Sequence, residues 1–123
     1  SALPLPEELK MEVKGRDSIA GLPRTVEISS SEITEALAAP LNEIVQAIHY
    51  VLEQTPPELS SDILDKGMVL TGGTALLRNF AKMITAATGV PAHVGDDPLL
   101  CVVKGVGIAI ENIDAFRKSL TKR

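Results

Sequence analysis

The segment from residue 68 to residue 94 constrains the fold more than any other part of the sequence. Met68–Leu70 is wholly apolar, as expected of a strand covered on both faces. A Thr-Gly-Gly-Thr turn follows, and residues 75–88 then repeat apolar side chains at helical spacing. Residues 90–94 predict a second strand. Strand, turn, helix and strand together predict one βαβ unit, with parallel strands and a right-handed crossover.

A β-hairpin is predicted ahead of this unit. Apolar and polar residues alternate in residues 11–14 and again in residues 25–28, which is typical of strands with one buried and one wet face. Two strands alone are marginally stable in water, so the hairpin is expected to borrow a sheet from elsewhere. Residues 1–10 hold two prolines and two glutamates, and they predict an extended, poorly anchored segment.

The strongest helical pattern covers residues 31–54. Ser29 and Glu32 have the spacing of a capping box, and Pro40 predicts a kink or a restart. A short helix is predicted from residue 57 or 58 to Asp65, with Gly67 as its left-handed end. One apolar stripe at helical spacing supports the first helix: Ile33, Leu37, Leu41, Ile44, Val45, Ile48 and Leu52.

Residues 96–120 predict a further helix, with Asp97 as its cap and Pro98 at its first position. Its apolar residues lie on nearly all sides, which predicts a largely buried helix. Glycine is costly within a helix, so Gly105 and Gly107 indicate that another backbone or a ligand comes close. The basic residues at the end of the chain predict a solvated tail: Arg117, Lys118, Lys122 and Arg123.

Composition excludes several classes of function. The net charge of −4 and the presence of only three aromatic residues argue against nucleic-acid binding. A single cysteine excludes an internal disulfide and a cysteine-rich zinc site. No apolar run is long enough to span a bilayer, and residues 1–10 do not resemble a signal peptide. A cytoplasmic, reducing setting is therefore expected.

The Gly72-Gly73 turn is the candidate ligand site. Without side chains, backbone N–H groups can approach a phosphate or nucleotide closely, and the following helix N-terminus favours negative charge. The spacing fits neither the dinucleotide fingerprint nor the phosphate loop, and no lysine follows. The alternative is a tight turn selected for its conformation alone.

Four blocks of the sequence resemble the MreB family of bacterial actin homologues. Residues 68–80, MVLTGGTALLRNF, closely resemble that family's second nucleotide-binding glycine segment. The blocks TPPELSSD, GDDPLLCV and MEVKGRD with GLPR resemble other family segments in the same order. The resemblance covers almost the whole chain, and it implies that the chain is about the last third of such a protein.

The resemblance implies an α/β chain that forms part of the second lobe of the actin and heat-shock-chaperone ATPase fold. Residues 1–30 would belong to the smaller outer subdomain and residues 31–123 to the inner subdomain. The intact protein would bind ATP or ADP with Mg²⁺ and polymerise with copies of itself. It would be cytoplasmic, lie beneath the inner membrane and act with the cell-wall synthesis machinery that determines rod shape.

By the family motif, Gly72, Gly73, Thr74 and Ala75 would line the adenosine and phosphate side of the nucleotide. Thr74 stands where the family usually has a third glycine, and it is expected to cap the next helix by accepting the N–H near Leu77. Gly107-Ile108 is a second departure, since the family commonly has a lysine after that glycine. No catalytic residue is assigned, because the phosphate loops and catalytic residues of the family lie outside this chain. The chain alone is expected not to hydrolyse ATP and to bind nucleotide weakly at best.

Other residues have simpler interpretations. His49 and His93 lack a second ligand at metal spacing, Asp96-Asp97 fits a helix cap better than a cation site, and Cys101 fits a packing role. Two alternative functions remain open: a lobe of a small-molecule kinase with the same fold, and a free-standing α/β binding module. A fragment of a larger protein exposes apolar surface, so the cytoskeletal hypothesis predicts a dimer or larger oligomer.

Overall fold

The first two strands of the chain form a β-hairpin, as predicted. In the computed structural model, which describes residues 1–120 and the side chains of residues 1–117, β1 (Lys10–Arg16) pairs antiparallel with β2 (Pro23–Ser29). The register places Val13 opposite Val26. The expected buried face is wrong, because every residue of β1 is exposed. Apolar and polar side chains do alternate along both strands. The described sheet contains only these two strands, however, and neither of its faces is buried.

A 25-residue helix, α1 (Ser30–Gln54), follows directly. The capping box is confirmed: the Ser29 hydroxyl accepts the Glu32 N–H at 3.2 Å, and the Glu32 carboxylate accepts the Ser29 N–H at 2.8 Å. The helix passes through Pro40 without ending, so the predicted restart is wrong. A single missing donor in a long helix does not break it when the remaining turns on both sides stay bonded.

The βαβ unit is confirmed, with a later helix start than expected. After α2 (Pro57–Lys66), β3 (Met68–Leu70) pairs parallel with β4 (Ala92–Val94). Between them, a 3-10 turn (Gly73–Leu76) precedes α3 (Phe80–Thr88). Asn79 has a φ of 64°, which prevents one continuous helix from residue 75.

The core is small and is built around α1 and α3. Leu41 of α1 meets Phe80 and Ile84 of α3, and Ala2 joins them. The start of the chain is therefore anchored, which corrects the expectation for residues 1–10. The Ala2 N–H donates to the Arg78 carbonyl at 2.8 Å, and the Thr34 hydroxyl donates to the Ser1 carbonyl at 3.2 Å.

Two helices complete the described chain: α4 (Cys101–Glu111) and α5 (Ile113–Leu120). The expected single buried helix is wrong on both counts, because Asn112 interrupts it and α4 has no buried residue. A Cβ at Gly105 or Gly107 would meet no atom within 4 Å, so nothing among the described residues comes close there. Residues 121–123 of the predicted basic tail lie outside the described residues, and so does the side chain of Lys118.

Strand β3 is also more exposed than its sequence predicts. Val69 is 59% exposed, so this strand is not covered on both faces as predicted. An apolar pattern records that a surface is made to be covered, but it does not say which part of a protein covers it. Within residues 1–120, no helix is long and apolar enough to cross a bilayer.

Candidate nucleotide-facing turn

The Gly72-Gly73 turn lies at the carboxyl end of β3, where it links the parallel pair to the 3-10 turn. Gly72 has φ 84° and ψ 174°, a conformation that only glycine adopts readily. Its N–H donates to the Pro98 carbonyl at 2.8 Å, and the Gly95 N–H donates to the Leu70 carbonyl at 3.0 Å. These two bonds fix the turn against residues 95–98, so its backbone is held in place.

Two backbone donors of the turn are available to a ligand. Two other N–H groups are already paired: that of Ala75 donates to the Gly72 carbonyl at 3.2 Å, and that of Leu77 donates to the Thr74 carbonyl at 3.0 Å. The N–H groups of Gly73 and Thr74 have no hydrogen-bond acceptor within the described chain. Such unpaired donors at the start of a helical turn suit an anionic or carbonyl acceptor.

The space beside the turn is open rather than filled. A Cβ built on Gly72 would meet no atom within 4 Å, and one on Gly73 would meet only the Leu99 side chain, at 3.5 Å. Thr74 is exposed. Ala75 is only 3% exposed, so the whole residue, backbone included, is buried behind the turn.

The predicted cap by Thr74 is wrong. The Leu77 N–H donates to the backbone carbonyl of Thr74, and no hydrogen bond of the Thr74 hydroxyl is found among the described residues. The cause is the 3-10 geometry, in which the backbone carbonyl three residues back is already the acceptor. The hydroxyl of Thr74 is therefore exposed beside the two available amides.

The segment after β4 forms the second wall of the turn. Asp97 has a φ of 47° and is not the cap of α4; its carbonyl accepts the Leu100 N–H at 2.7 Å, and its carboxylate pairs with the Lys104 ammonium. The predicted cap is therefore wrong, and Pro98 precedes α4 instead of starting it. Sequence reasoning missed the bond that joins Gly72 to Pro98, because nothing in a sequence pattern reports a contact between two loops.

The remaining candidate residues do not assemble into a site. Residues 1–120 contain no group of three His, Cys, Asp or Glu side chains placed to hold a metal ion. The Cys101 thiol donates to the Asp96 carbonyl at 3.3 Å and is partly exposed. His49 and His93 lie on α1 and β4, apart from each other in the chain.

Comparison with known proteins identifies the family. The family model described as "MreB/Mbl protein" matches residues 1–118. The chain is 52% identical over 114 residues to the cell shape-determining protein MreB of Escherichia coli K12, covering 93% of this chain and 33% of that protein. It is 43% identical over 109 residues to the cell shape-determining protein Mbl of Bacillus subtilis 168, covering 89% and 33%.

Solved structures agree with the sequence comparison. MreB5 of Spiroplasma citri bound to ADP matches with a TM-score of 0.83 and 36% identity, over 92% of this chain and 34% of that chain. The same protein bound to AMPPNP matches with a TM-score of 0.83 and 34% identity, over 97% and 36%. The chain thus spans about a third of the length of these relatives. A small-molecule kinase is not favoured, and the chain belongs to the MreB/Mbl family of actin-like, cell shape-determining proteins.

Proposed function

We propose that this chain supplies the nucleotide-facing part of one lobe of a filament-forming, ATP-dependent cytoskeletal protein that determines rod shape. The turn at Gly72, Gly73, Thr74 and Ala75 would line the adenosine and phosphate side of ATP or ADP. The observation that carries this proposal is the open turn with two available amides, in a chain whose structural relatives include forms bound to ADP and AMPPNP.

The turn fits a nucleotide better than a metal ion. Bare backbone at Gly72 allows a flat or bulky group to approach, and the amides of Gly73 and Thr74 can donate to its oxygens. No carboxylate forms part of the turn itself. Mg²⁺ would therefore be held through the nucleotide phosphates and by residues of the remaining lobe.

The division of the chain follows the same proposal. Residues 1–30 would belong to a smaller outer subdomain and residues 31–123 to the inner subdomain. The exposed hairpin supports this division, because its strands leave edges and a face for further strands to cover. The intact protein would associate with copies of itself and with the cell-wall synthesis machinery, in the cytoplasm against the inner membrane.

Nucleotide binding can be tested on the chain itself by following backbone amide NMR shifts during titration with ADP and Mg²⁺. We expect the amides of Gly73 and Thr74 to move most, since their N–H groups are the available donors. The matched variants are Gly72→Val, which places a side chain in the open space at a positive φ, and Gly105→Ala on α4. The first should abolish the shifts and the second should leave them unchanged.

The proposal fails if ADP moves no amide of the turn at millimolar concentration, or if Gly72→Val folds and binds as well as the parent chain. NMR detects the weak binding expected of a single lobe, because fast exchange shifts a resonance even at low occupancy. ATP turnover by the chain alone would also contradict the proposal, since this part of the protein is expected to bind and not to hydrolyse.

A further inference from the structure

The turn proposed to face the nucleotide is bonded to the loop that follows β4, here called the 95–98 loop. The Gly95 N–H donates to the Leu70 carbonyl at 3.0 Å, at the end of β3. The Gly72 N–H donates to the Pro98 carbonyl at 2.8 Å. These bonds join the first and last residues of the loop to the start of the turn, so a change in the conformation of the loop would displace the turn as well.

The 95–98 loop packs closely against β3. A Cβ built on Gly95 would lie 3.2 Å from a side-chain carbon of Val69 and 3.5 Å from the sulfur of Cys101. The Cys101 thiol also donates to the Asp96 carbonyl at 3.3 Å. The position of the loop is therefore set by contacts within this chain.

Asp97 gives the loop an uncommon backbone conformation. Its φ is 47°, and the only other non-glycine residue with a positive φ in the described chain is Asn79, between the 3-10 turn and α3. A Cβ disfavours this conformation, which persists only where neighbouring interactions hold it. Two interactions hold Asp97: its carbonyl accepts the Leu100 N–H at 2.7 Å, and its carboxylate pairs with the Lys104 ammonium.

The ion pair connects the 95–98 loop to α4. Lys104 lies in the first turn of α4, where its N–H donates to the Leu100 carbonyl at 2.9 Å, so the helix fixes its backbone. Its partner, Asp97, lies seven residues earlier. This separation differs from the three- or four-residue spacing of pairs within one helix, so the pair joins two separate elements.

We propose that Asp97 and Lys104 are positioning residues for the nucleotide-facing turn. The pair fixes the left-handed residue of the loop, which holds the Pro98 carbonyl where it accepts the Gly72 N–H. The turn is then kept in the conformation that presents its two available amides, without either charged side chain contacting the ligand. This inference rests on the proposed function, because its consequence is a change in nucleotide affinity.

Amide hydrogen exchange tests the positioning step without nucleotide. In Lys104→Met, we expect the Gly72 N–H to exchange about threefold faster than in the parent chain, which is the effect of losing one exposed ion pair. Lys104→Arg retains a cation and should keep the parent rate. Lys10→Met is the matched control, because it removes a similarly exposed ion pair, with Glu27 of the hairpin, and it should leave the Gly72 rate unchanged.

Titration with ADP and Mg²⁺, followed through the Gly73 amide shift, tests the consequence. Asp97→Val and Asp97→Asn both remove the carboxylate, but of the two only asparagine tolerates a positive φ. We expect the valine variant to bind ADP about tenfold more weakly than the parent chain, because its loop has the binding conformation for a smaller fraction of the time. The asparagine variant should lose no more than about threefold in affinity.

An unchanged Gly72 exchange rate in Lys104→Met would overturn the proposal, and so would equal losses of affinity in the two Asp97 variants. Tighter ADP binding in both Asp97 variants would also overturn it, because the carboxylate would then act on the phosphates directly. The exchange measurement needs no nucleotide, so a parent chain that does not bind ADP would count against the proposed function alone. Variants that bind ADP as well as a binding-competent parent chain would count against this inference alone.

Discussion

At the scale of single residues, the glycines of this chain differ in what they do, although the sequence presents them alike. Gly72 has the backbone conformation that excludes other residues, whereas Gly105 lies in open space within α4. The turn therefore depends on glycine at position 72 for its shape, and the proposed nucleotide contact would depend on it for access. The sequence motif identified the position, but only the dihedral angles separate these two reasons.

Gly72→Ala is expected to lower the free energy of unfolding by about 1–3 kcal/mol, because a Cβ is strained at φ 84° and ψ 174°. Gly105→Ala should raise it by about 0.5–1 kcal/mol, because alanine favours the helix and no atom obstructs it. Urea denaturation followed by circular dichroism measures both. Equal effects of the two substitutions would show that Gly72 is not conformationally required.

At the scale of the elements, the sequence predicted a helix or turn correctly where residues a few positions apart determine it. The capping box at Ser29 and Glu32, the apolar stripe of α1 and the turn of the βαβ unit are set by residues a few positions apart. The start of α3 was missed because it depends on the left-handed conformation of Asn79. That residue is held by longer-range contacts: its side-chain amide donates to the Ser1 hydroxyl at 3.2 Å.

The cap of α1 provides a quantitative test at this scale. Ser29→Ala should lower the free energy of unfolding by about 1 kcal/mol, since it removes the acceptor of the Glu32 N–H. Ser31→Ala is the matched control, because Ser31 is an exposed serine in the same turn and no hydrogen bond of its side chain is found in the described chain. Thermal unfolding of the two variants should differ by a few degrees. If both serines prove equally important, the capping box is not what begins this helix.

At the scale of the whole molecule, the main wrong prediction concerns which apolar elements are buried. The apolar patterns of β3 and α4 predicted buried elements, and the structure leaves both exposed. The relatives that the chain matches are about three times longer than the chain, and their family has this apolar pattern in a larger fold. An apolar pattern shows that a surface is suited to burial, but it does not show which residues cover that surface.

The exposure of α4 leads to a prediction about how the chain associates. Val102, Val103 and Val106 are all more than half exposed on one short helix, and together they form a patch that water solvates poorly. Replacing all three with glutamine should reduce the binding of a hydrophobic dye and reduce salt-enhanced aggregation of the chain. The reason is that kosmotropic salt strengthens hydrophobic association, and the glutamine variant exposes less apolar surface.

Gly105→Ala lies on the same helix and keeps the three valines, so it is the matched control and should change neither readout. An ammonium sulfate series followed by light scattering and sedimentation measures the association. If the triple variant binds as much dye and aggregates as readily as the parent chain, α4 is not the surface through which the chain associates. A decrease in both readouts would identify the three valines as a principal apolar surface of the chain.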